Sequence, residues 1–386
     1  MFGATAAGPT RRLATASILE RAHRTAARCG VSRLADITRL DRIGLPVWQA
    51  VRPAGRALSI HQGKGISALA AKIGALCEAI ESHYAEQAPA DGPYGTLAEL
   101  PPGTEAPALA DLALDRAHPP PADMAMQWCQ AHNIVSGAPA CLPHAFVSLD
   151  FTRDWHSRFD RSSGGLGAGT TKARASEKAI LELIENDAVG RWEREDPLSR
   201  MATLLDPDTV TLRWFQDWRA HLDSLGMQLH LCAPGSVTGH PVFHCTLLCH
   251  DRAEGIAIFA GSACHGSAET ALFGALAEAI QSRLTFIAGA RDDMLPSLYA
   301  SRAKAPPAIG PVPPPAPGFP LVAWQSIGER RSALPDLVAD LGRAGLDRIW
   351  CKTLSPPEAE IRVVKAFIGG LGSLRRTEQP SARACA

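Results

Sequence analysis

The chain has 386 residues, enough for one large or two smaller α/β domains, and its 39 Lys+Arg and 39 Asp+Glu cancel. A balanced charge gives no overall field for nucleic acid or an anionic membrane, so neither is expected as a partner and recognition must be local. Hydrophobic residues are 46%, charged 20% and aromatic 6%, the composition of a globular enzyme rather than a disordered or fibrous chain.

Met1 to Ala16 is small and polar, with no apolar run that would read as a secretory signal. No window holds the roughly 18 uninterrupted apolar residues of a spanning helix. The ten Cys are scattered singly, which predicts reduced thiols and a cytoplasmic location. Apolar and Ala positions at helical spacing predict a helix over 11–30, ending near Cys29-Gly30. An extended segment, Asp41 to Arg52, leads to Gly63-Lys64-Gly65 and a helix over 67–84. Residues 87–145 are rich in Ala and Pro with weak periodicity and read as a loop-rich insertion, with a short helix near 107–117.

Further along, 208–232 reads as a helix followed by a strand, Met227–Cys232, and 241–249 and 255–260 as two more strands. Pro306 to Pro320 is too Pro-dense for helix or central strand and reads as a linker. Beyond it, Leu321–Ser326 and Val363–Ile368 read as strands flanking a helix at 333–344. Strands and helices interleave, so the expected class is α/β.

The most informative pattern is a threefold one. Gly63-Lys64-Gly65 precedes a helix bearing Glu78 and Glu81. Gly164 to Gly169 precedes a helix bearing Glu182 and Glu185, and Gly261 to Gly266 precedes one bearing Glu278 and Gln281. Each pair is spaced i, i+3, so both side chains leave one helix face. A Gly-rich turn lets backbone N–H groups approach an anion, carboxylates are hard ligands for Mg2+, and Lys64 adds a point charge for a polyphosphate. A single such pair on a helix is usually a solvated face, and a single Gly-rich turn is usually a turn. Three together point to metal–nucleotide binding without a Walker A sequence.

These segments resemble the YcaO superfamily, ATP-dependent enzymes that make azolines, thioamides and amidines in peptides. The resemblance runs from about residue 30 to 293 and more weakly to 372. Ser32 to Val47 resembles the family's opening segment, and Gln62-Gly63-Lys64-Gly65 with Glu78 and Glu81 its first nucleotide motif. Ser163 to Gly169 with Glu182 to Ala188 resembles the second, and Glu278 to Arg283 with Gly289 to Asp293 the third. The wording at 32–52 and 278–293 is similar to the stand-alone branch that works with a TfuA-type partner.

The resemblance implies mixed α/β layers with ATP and Mg2+ held between helices that follow the Gly-rich turns. It implies Glu78, Glu81, Glu182 and Glu185 as metal ligands. It also implies Lys64, Ser163, Thr170, Gln281 and Arg283 as phosphate or ribose contacts, with Glu278 in support. The activity implied is phosphorylation of an amide-derived oxygen in a precursor peptide, most simply thioamide formation with a TfuA-like partner, in a homo- or hetero-oligomer. Azoline formation and a catalytically silent subunit are the alternatives. The organisation implied is an N-terminal segment (1–29), a catalytic domain (30–300), a linker (301–320) and a C-terminal α/β part of the same domain ending in a flexible tail (321–386).

The sequence departs from the family pattern in places. Asn186 stands where members usually carry Arg, and Arg174 where many carry a metal-ligating Glu, for which Glu177 is the candidate substitute. Thr170 replaces a frequent Asn, Gly274 a frequent Arg and His61 a frequent Ser, and the tail from Gln379 lacks the Pro-rich ending of azoline-forming members. Two other clusters read as structural. Strand alternation puts Cys245 and Cys249 on one face and His244 and His250 on the other, which cannot form a four-ligand site. Cys264-His265 are adjacent in sequence, a poor geometry for a nucleophile–base pair.

Overall fold

Three of the long helices, those starting at Ala68, Lys172 and Ala268, each begin at a Ser or Thr cap and bury a stripe of Ala, Leu and Ile. In the computed structural model, which describes residues 9–153, 157–251, 255–296, 299 and 318–371, the helices are α1 (Pro9–Arg28), α2 (Ala68–Glu86), α3 (His144–Val147), α4 (Lys172–Glu193), α5 (Pro197–Met201), α6 (Arg213–Ser224), α7 (Ala268–Ala288) and α8 (Leu334–Arg343). They pack on three antiparallel sheets. The first has the order β1 (Arg33–Asp36), β2 (Val47–Val51), β3 (Ile60–Lys64). The largest runs β4 (Tyr94–Gly95), β5 (Met126–Asn133), β11 (Ile349–Thr353), β12 (Arg362–Ile368), β7 (Leu166–Gly169), with β6 (Pro139–Pro143) also on β5. The third has the order β10 (Gly255–Cys264), β9 (Val242–Asp251), β8 (Met227–Cys232).

The strands that end the three path orders, β3, β7 and β10, are those that lead into α2, α4 and α7, and each helix packs back across its own strand. Each helix also touches the strand of another unit: α2 meets β7, α4 meets β10, and α7 meets β3. The three strand–helix units therefore close a ring. Two cores fill the space on either side. One, under α2, α4 and the largest sheet, holds Leu76, Ile80, Trp128, Ile180, Leu183, Trp350 and Phe367. The other, under α6, α7 and the third sheet, holds Phe215, Trp218, Phe243, Leu272, Leu276 and Ile280.

The structure corrects four readings of the sequence. The 87–145 segment is loop-rich only as far as 125: beyond it the chain supplies β5 and β6, and Trp128 and Cys129 of β5 are fully buried. A strand with buried residues on both faces loses its period of two, so the pattern was invisible. The helix near 107–117 is a single 3-10 turn, Leu109–Leu112. Leu321–Ser326 pairs at one bridge, Leu205 with Val322, and then turns as a 3-10 segment; the strand opposite β12 is β11, which the reading passed over.

The fourth correction concerns the glycines. Gly63, Gly167 and Gly261 lie within β3, β7 and β10 rather than in turns. A Cβ on Gly63 would fall 2.0 Å from the Ala75 nitrogen, on Gly167 2.2 Å from the Ala175 carbonyl, and on Gly261 2.3 Å from the Ala279 nitrogen. These glycines admit the helix backbone onto the strand; they are not an anion cradle.

By length and composition α7 could cross a membrane, but half of its most apolar window is buried and it packs on β9 and β10 as a core helix. Residues 306–317 of the linker and the tail from 372, with Cys385, lie outside the described residues.

Candidate active site

The site is built from the helix caps inward. Ser67, Thr171 and Ser267 each cap a helix by accepting a hydrogen bond from the backbone N–H three residues on, at Ala70, Arg174 and Thr270. Counted from these caps the three units are in register. Glu78 and Glu81, Glu182 and Glu185, and Glu278 and Gln281 all stand eleven and fourteen residues beyond the cap. A count from the last glycine before each helix falls one residue short in the third unit, because Gly266 directly precedes its cap whereas Gly65 and Gly169 stand two residues before theirs.

The fourteenth position reaches across the ring. Glu81 Oε1 accepts from the Ala168 backbone N–H at 2.6 Å, and Glu185 Oε2 from that of Cys264 at 3.2 Å. Ala168 and Cys264 each stand three residues before their own caps, so the two contacts are equivalent. The residue three before the remaining cap is Lys64, whose Nζ meets Glu278 Oε2 at 3.2 Å. Lys178 Nζ lies 2.7 Å from Glu81 Oε1.

Electrostatics tie these groups into one cluster. Burial raises the Glu78 pKa, with Lys64 and Lys178 opposing and Glu81 adding to the rise. Glu182 is pushed up to about 8, first by burial and then by Glu81, with Glu185 adding and Lys178 and Lys365 opposing. Lys365, fully buried, donates to the carbonyls of Ser162 and Gly164 at 2.8 and 2.5 Å and so holds the segment leading into β7. Arg291, paired with Asp293, is a further cation beside Glu78.

Of the residues expected in the site, Lys64, Glu78, Glu81, Glu182, Glu185 and Glu278 therefore belong to one cluster. Gln281 lies on the same face of α7 as Glu278, and its Oε1 is buried without a hydrogen-bond partner. Gln62, 2% exposed on β3, has its Nε2 likewise unpartnered, while Thr285 of α7 donates to its Oε1. Arg283 does not join them: it is held by Asp41 through bonds of 2.8 and 3.3 Å. Ser163 is exposed ahead of β7, and Thr170 is partly exposed next to the Thr171 cap. Glu177, the candidate substitute ligand, bonds Arg174 through one oxygen and the Leu334 N–H that starts α8 through the other. Arg174 itself is exposed and paired with Glu177.

The sequence reading marks neither Lys178 nor Lys365, and names Gln62 in the first motif without a role. Lys178 was open to detection, since it precedes Glu182 by one turn on the same helix face. Lys365 lies more than two hundred residues from the segment it holds, and no local pattern marks it.

Among the described residues no three His, Cys, Asp or Glu side chains form a ready metal cage. The donor set nonetheless fits Mg2+, which favours one or two carboxylates and keeps water and phosphate as its other ligands. It is all oxygen, with no thiolate or imidazole among the acidic side chains. The two structural-looking clusters are structural here. Cys245 is buried with its thiol raised by desolvation, and His244 Nδ1 pairs with Ser262 Oγ at 2.9 Å. The His265 Nδ1 accepts from the Ser267 N–H, not from Cys264.

A sequence profile described as "YcaO cyclodehydratase, ATP- and Mg2+-binding" matches residues 62–372. The chain belongs to the YcaO family. It is 32% identical over 277 residues to an uncharacterized protein in the tfuA 3′ region of Rhizobium leguminosarum bv. trifolii, covering 70% of this chain and 66% of that one. It is 31% identical over 284 residues to uncharacterized protein Rv1375 of Mycobacterium tuberculosis, covering 70% and 60%. The chain thus spans between three-fifths and two-thirds of these relatives' lengths.

Solved structures share this YcaO fold. YcaO from Methanopyrus kandleri bound with AMPPCP and Mg2+ superimposes with a TM-score of 0.68 at 19% identity, over 93% of this chain and 90% of that one. A heterocyclase in complex with substrate and cofactor gives 0.73 at 19%, over 91% and 52%. The Escherichia coli microcin synthetase McbBCD complex gives 0.60 at 17%, over 87% and 86%.

Proposed function

We propose that this chain activates a backbone amide of a precursor peptide in an ATP- and Mg2+-dependent reaction, and that the product is a thioamide formed with a TfuA-type partner. The observation that carries the first part is the ring register, which brings Glu78 and Glu81 of α2 against Glu182 and Glu185 of α4 with Lys64 and Lys178 alongside. When bound, Mg2+–ATP supplies the phosphoryl group and neutralises its charge in transfer.

The chain's own residues do the rest. Glu78, Glu81, Glu182 and Glu185 would hold the metal. Lys64, freed from Glu278, supplies a cation to the polyphosphate. Gln62 Nε2 and Gln281 Oε1 offer one donor and one acceptor to a ligand, and unmet buried amide groups are costly unless a ligand satisfies them. Glu81 and Glu185, held on the backbone of neighbouring units, keep the metal ligands at fixed spacing. Such preorganisation is what phosphoryl transfer asks of the protein.

The thioamide product is supported by the relative from the tfuA 3′ region. A second reading, cyclodehydration to an azoline, is favoured by the heterocyclase and microcin synthetase among the fold relatives. In both, the amide oxygen leaves as phosphate. Thioamidation then places external sulfur on the carbon and raises peptide mass, whereas cyclisation loses water and lowers it. Mass spectrometry of a candidate precursor peptide, incubated with the chain, a TfuA-type partner and ATP, with and without sulfide, decides between them. We expect a mass gain that requires sulfide. A mass loss independent of sulfide gives the azoline reading, and no change under any condition gives the silent-subunit reading.

A further inference from the structure

The ring allows each helix position to be compared across three units. The seventh residue past the cap is Gly74 in α2, Lys178 in α4 and Gly274 in α7. The glycines follow from packing. Gly74 sits against Gly63, where an added Cβ would come within 3.2 Å of the Gly63 Cα, and one on Gly274 would fall 2.6 Å from the Ala263 Cβ. In α4 the strand residue at the same register is Gly167, the counterpart of Gly63, and the helix position carries Lys178. Among these equivalent positions, α4 alone carries a side chain, and that side chain is a cation.

Lys178 enters the cluster from there. Its Nζ bonds Glu81 Oε1 at 2.7 Å, and its charge acts on Glu78 and Glu182 as well. Its side chain is 49% exposed while that of Glu81 is 10% exposed, so the ammonium can swing while the carboxylate stays fixed by the Ala168 N–H. A metal ion bound to Glu81 takes the carboxylate that Lys178 now holds. The polyphosphate is the anion that arrives with it.

Resting on the ATP-dependent reading, we propose that Lys178 is a nucleotide-binding residue, a cation parked on Glu81 in the free protein and transferred to the polyphosphate when metal–nucleotide binds. It supplies charge that neither Asn186 nor Gly274 provides. Two opposite effects follow. Lys178 competes with metal alone and assists metal plus nucleotide.

The test is calorimetry on the full chain with two probes, Mg2+ alone and AMPPCP at saturating Mg2+, for wild type, Lys178→Met and Lys178→Arg, with melting temperatures alongside. Lys178→Met should weaken AMPPCP about tenfold or more, the size of a lost charge-assisted contact, while Mg2+ alone binds as well as before or more tightly. Lys178→Arg should keep most of the nucleotide affinity. Wild-type nucleotide affinity in Lys178→Met overturns the proposal. So does a joint loss of metal, nucleotide and melting temperature, which is what a merely structural partner of Glu81 would give. If wild type itself binds no Mg2+–AMPPCP, the ATP-dependent reading fails first and takes this one with it.

Discussion

Two of the three strand–helix units end their polar pair in a carboxylate that reaches the next unit, Glu81 to Ala168 and Glu185 to Cys264, while the third ends in Gln281, whose Oε1 has no partner. The scaffold is the same in all three: a strand at the end of its path order, a Ser or Thr cap, and ligand positions eleven and fourteen residues on. At the fourteenth position the difference lies in one side chain. It follows that backbone register decides where the site is, and single substitutions decide what each corner binds: the first two corners suit a metal, and the third, with its unmet acceptor, a hydrogen-bond donor of a ligand.

The comparison can be broken most severely at the strand. Gly167→Ala places a Cβ 2.2 Å from the Ala175 carbonyl, and no rotamer relieves a clash with helix backbone. We expect a loss of about 3 kcal/mol or more, read as little soluble protein or a collapsed denaturant midpoint. Wild-type stability would show that α4 can move off β7 and that the register is not fixed by this contact.

The carboxylate corners come next. Glu182→Gln and Glu81→Gln keep volume and remove charge, and each should cut turnover roughly hundredfold or more while the circular dichroism spectrum is retained. Gln281→Glu, which makes the third corner like the others, should instead weaken nucleotide binding about tenfold, since it adds an anion beside Glu278. If Glu182→Gln is active and Gln281→Glu is neutral, the corners are not distinct.

The raised Glu182 pKa sharpens the same contrast through pH. Its folded value of about 8 lies above the ordinary carboxylate range because of burial and then Glu81. Its contribution to stability is therefore full at low pH and is lost as pH rises through about 8. Without metal, the melting temperature should fall between pH 5 and 9 by an amount that Glu182→Gln removes, and excess Mg2+ should flatten the slope by favouring the ionised form. A metal-free melting temperature that rises over this range contradicts the assignment.

The smallest effect belongs to the caps. Thr171→Ala removes the hydrogen bond to the Arg174 N–H and should cost about 1 kcal/mol, a shift of a degree or two in melting temperature. Arg174→Glu should be near neutral for nucleotide binding, because that side chain is exposed and paired with Glu177. A large gain in nucleotide affinity would bring position 174 back into the site.

Taken alone, the sequence determined the three helices, their polar pairs and the family, because caps, apolar stripes and i, i+3 spacing are local and survive without a fold. It also placed α6, β8, β9 and β12 closely, where periodicity was clean. It misjudged what depends on distant chain. The strands β5 and β6 looked like loops because burial on both faces erases alternation, and β11, which pairs with β5 and β12, was passed over.

The glycines looked like anion-binding turns because their partner, a helix backbone at contact distance, is not written near them. From its motif Arg283 reads as a phosphate or ribose contact, and Asp41, more than two hundred residues away, holds it. Lys178 and Lys365 gained their roles only when the ring closed and set α2 against β7 and the β7 segment against β12. A side chain's type fixes what it can bind, and only the tertiary structure decides which groups come within its reach.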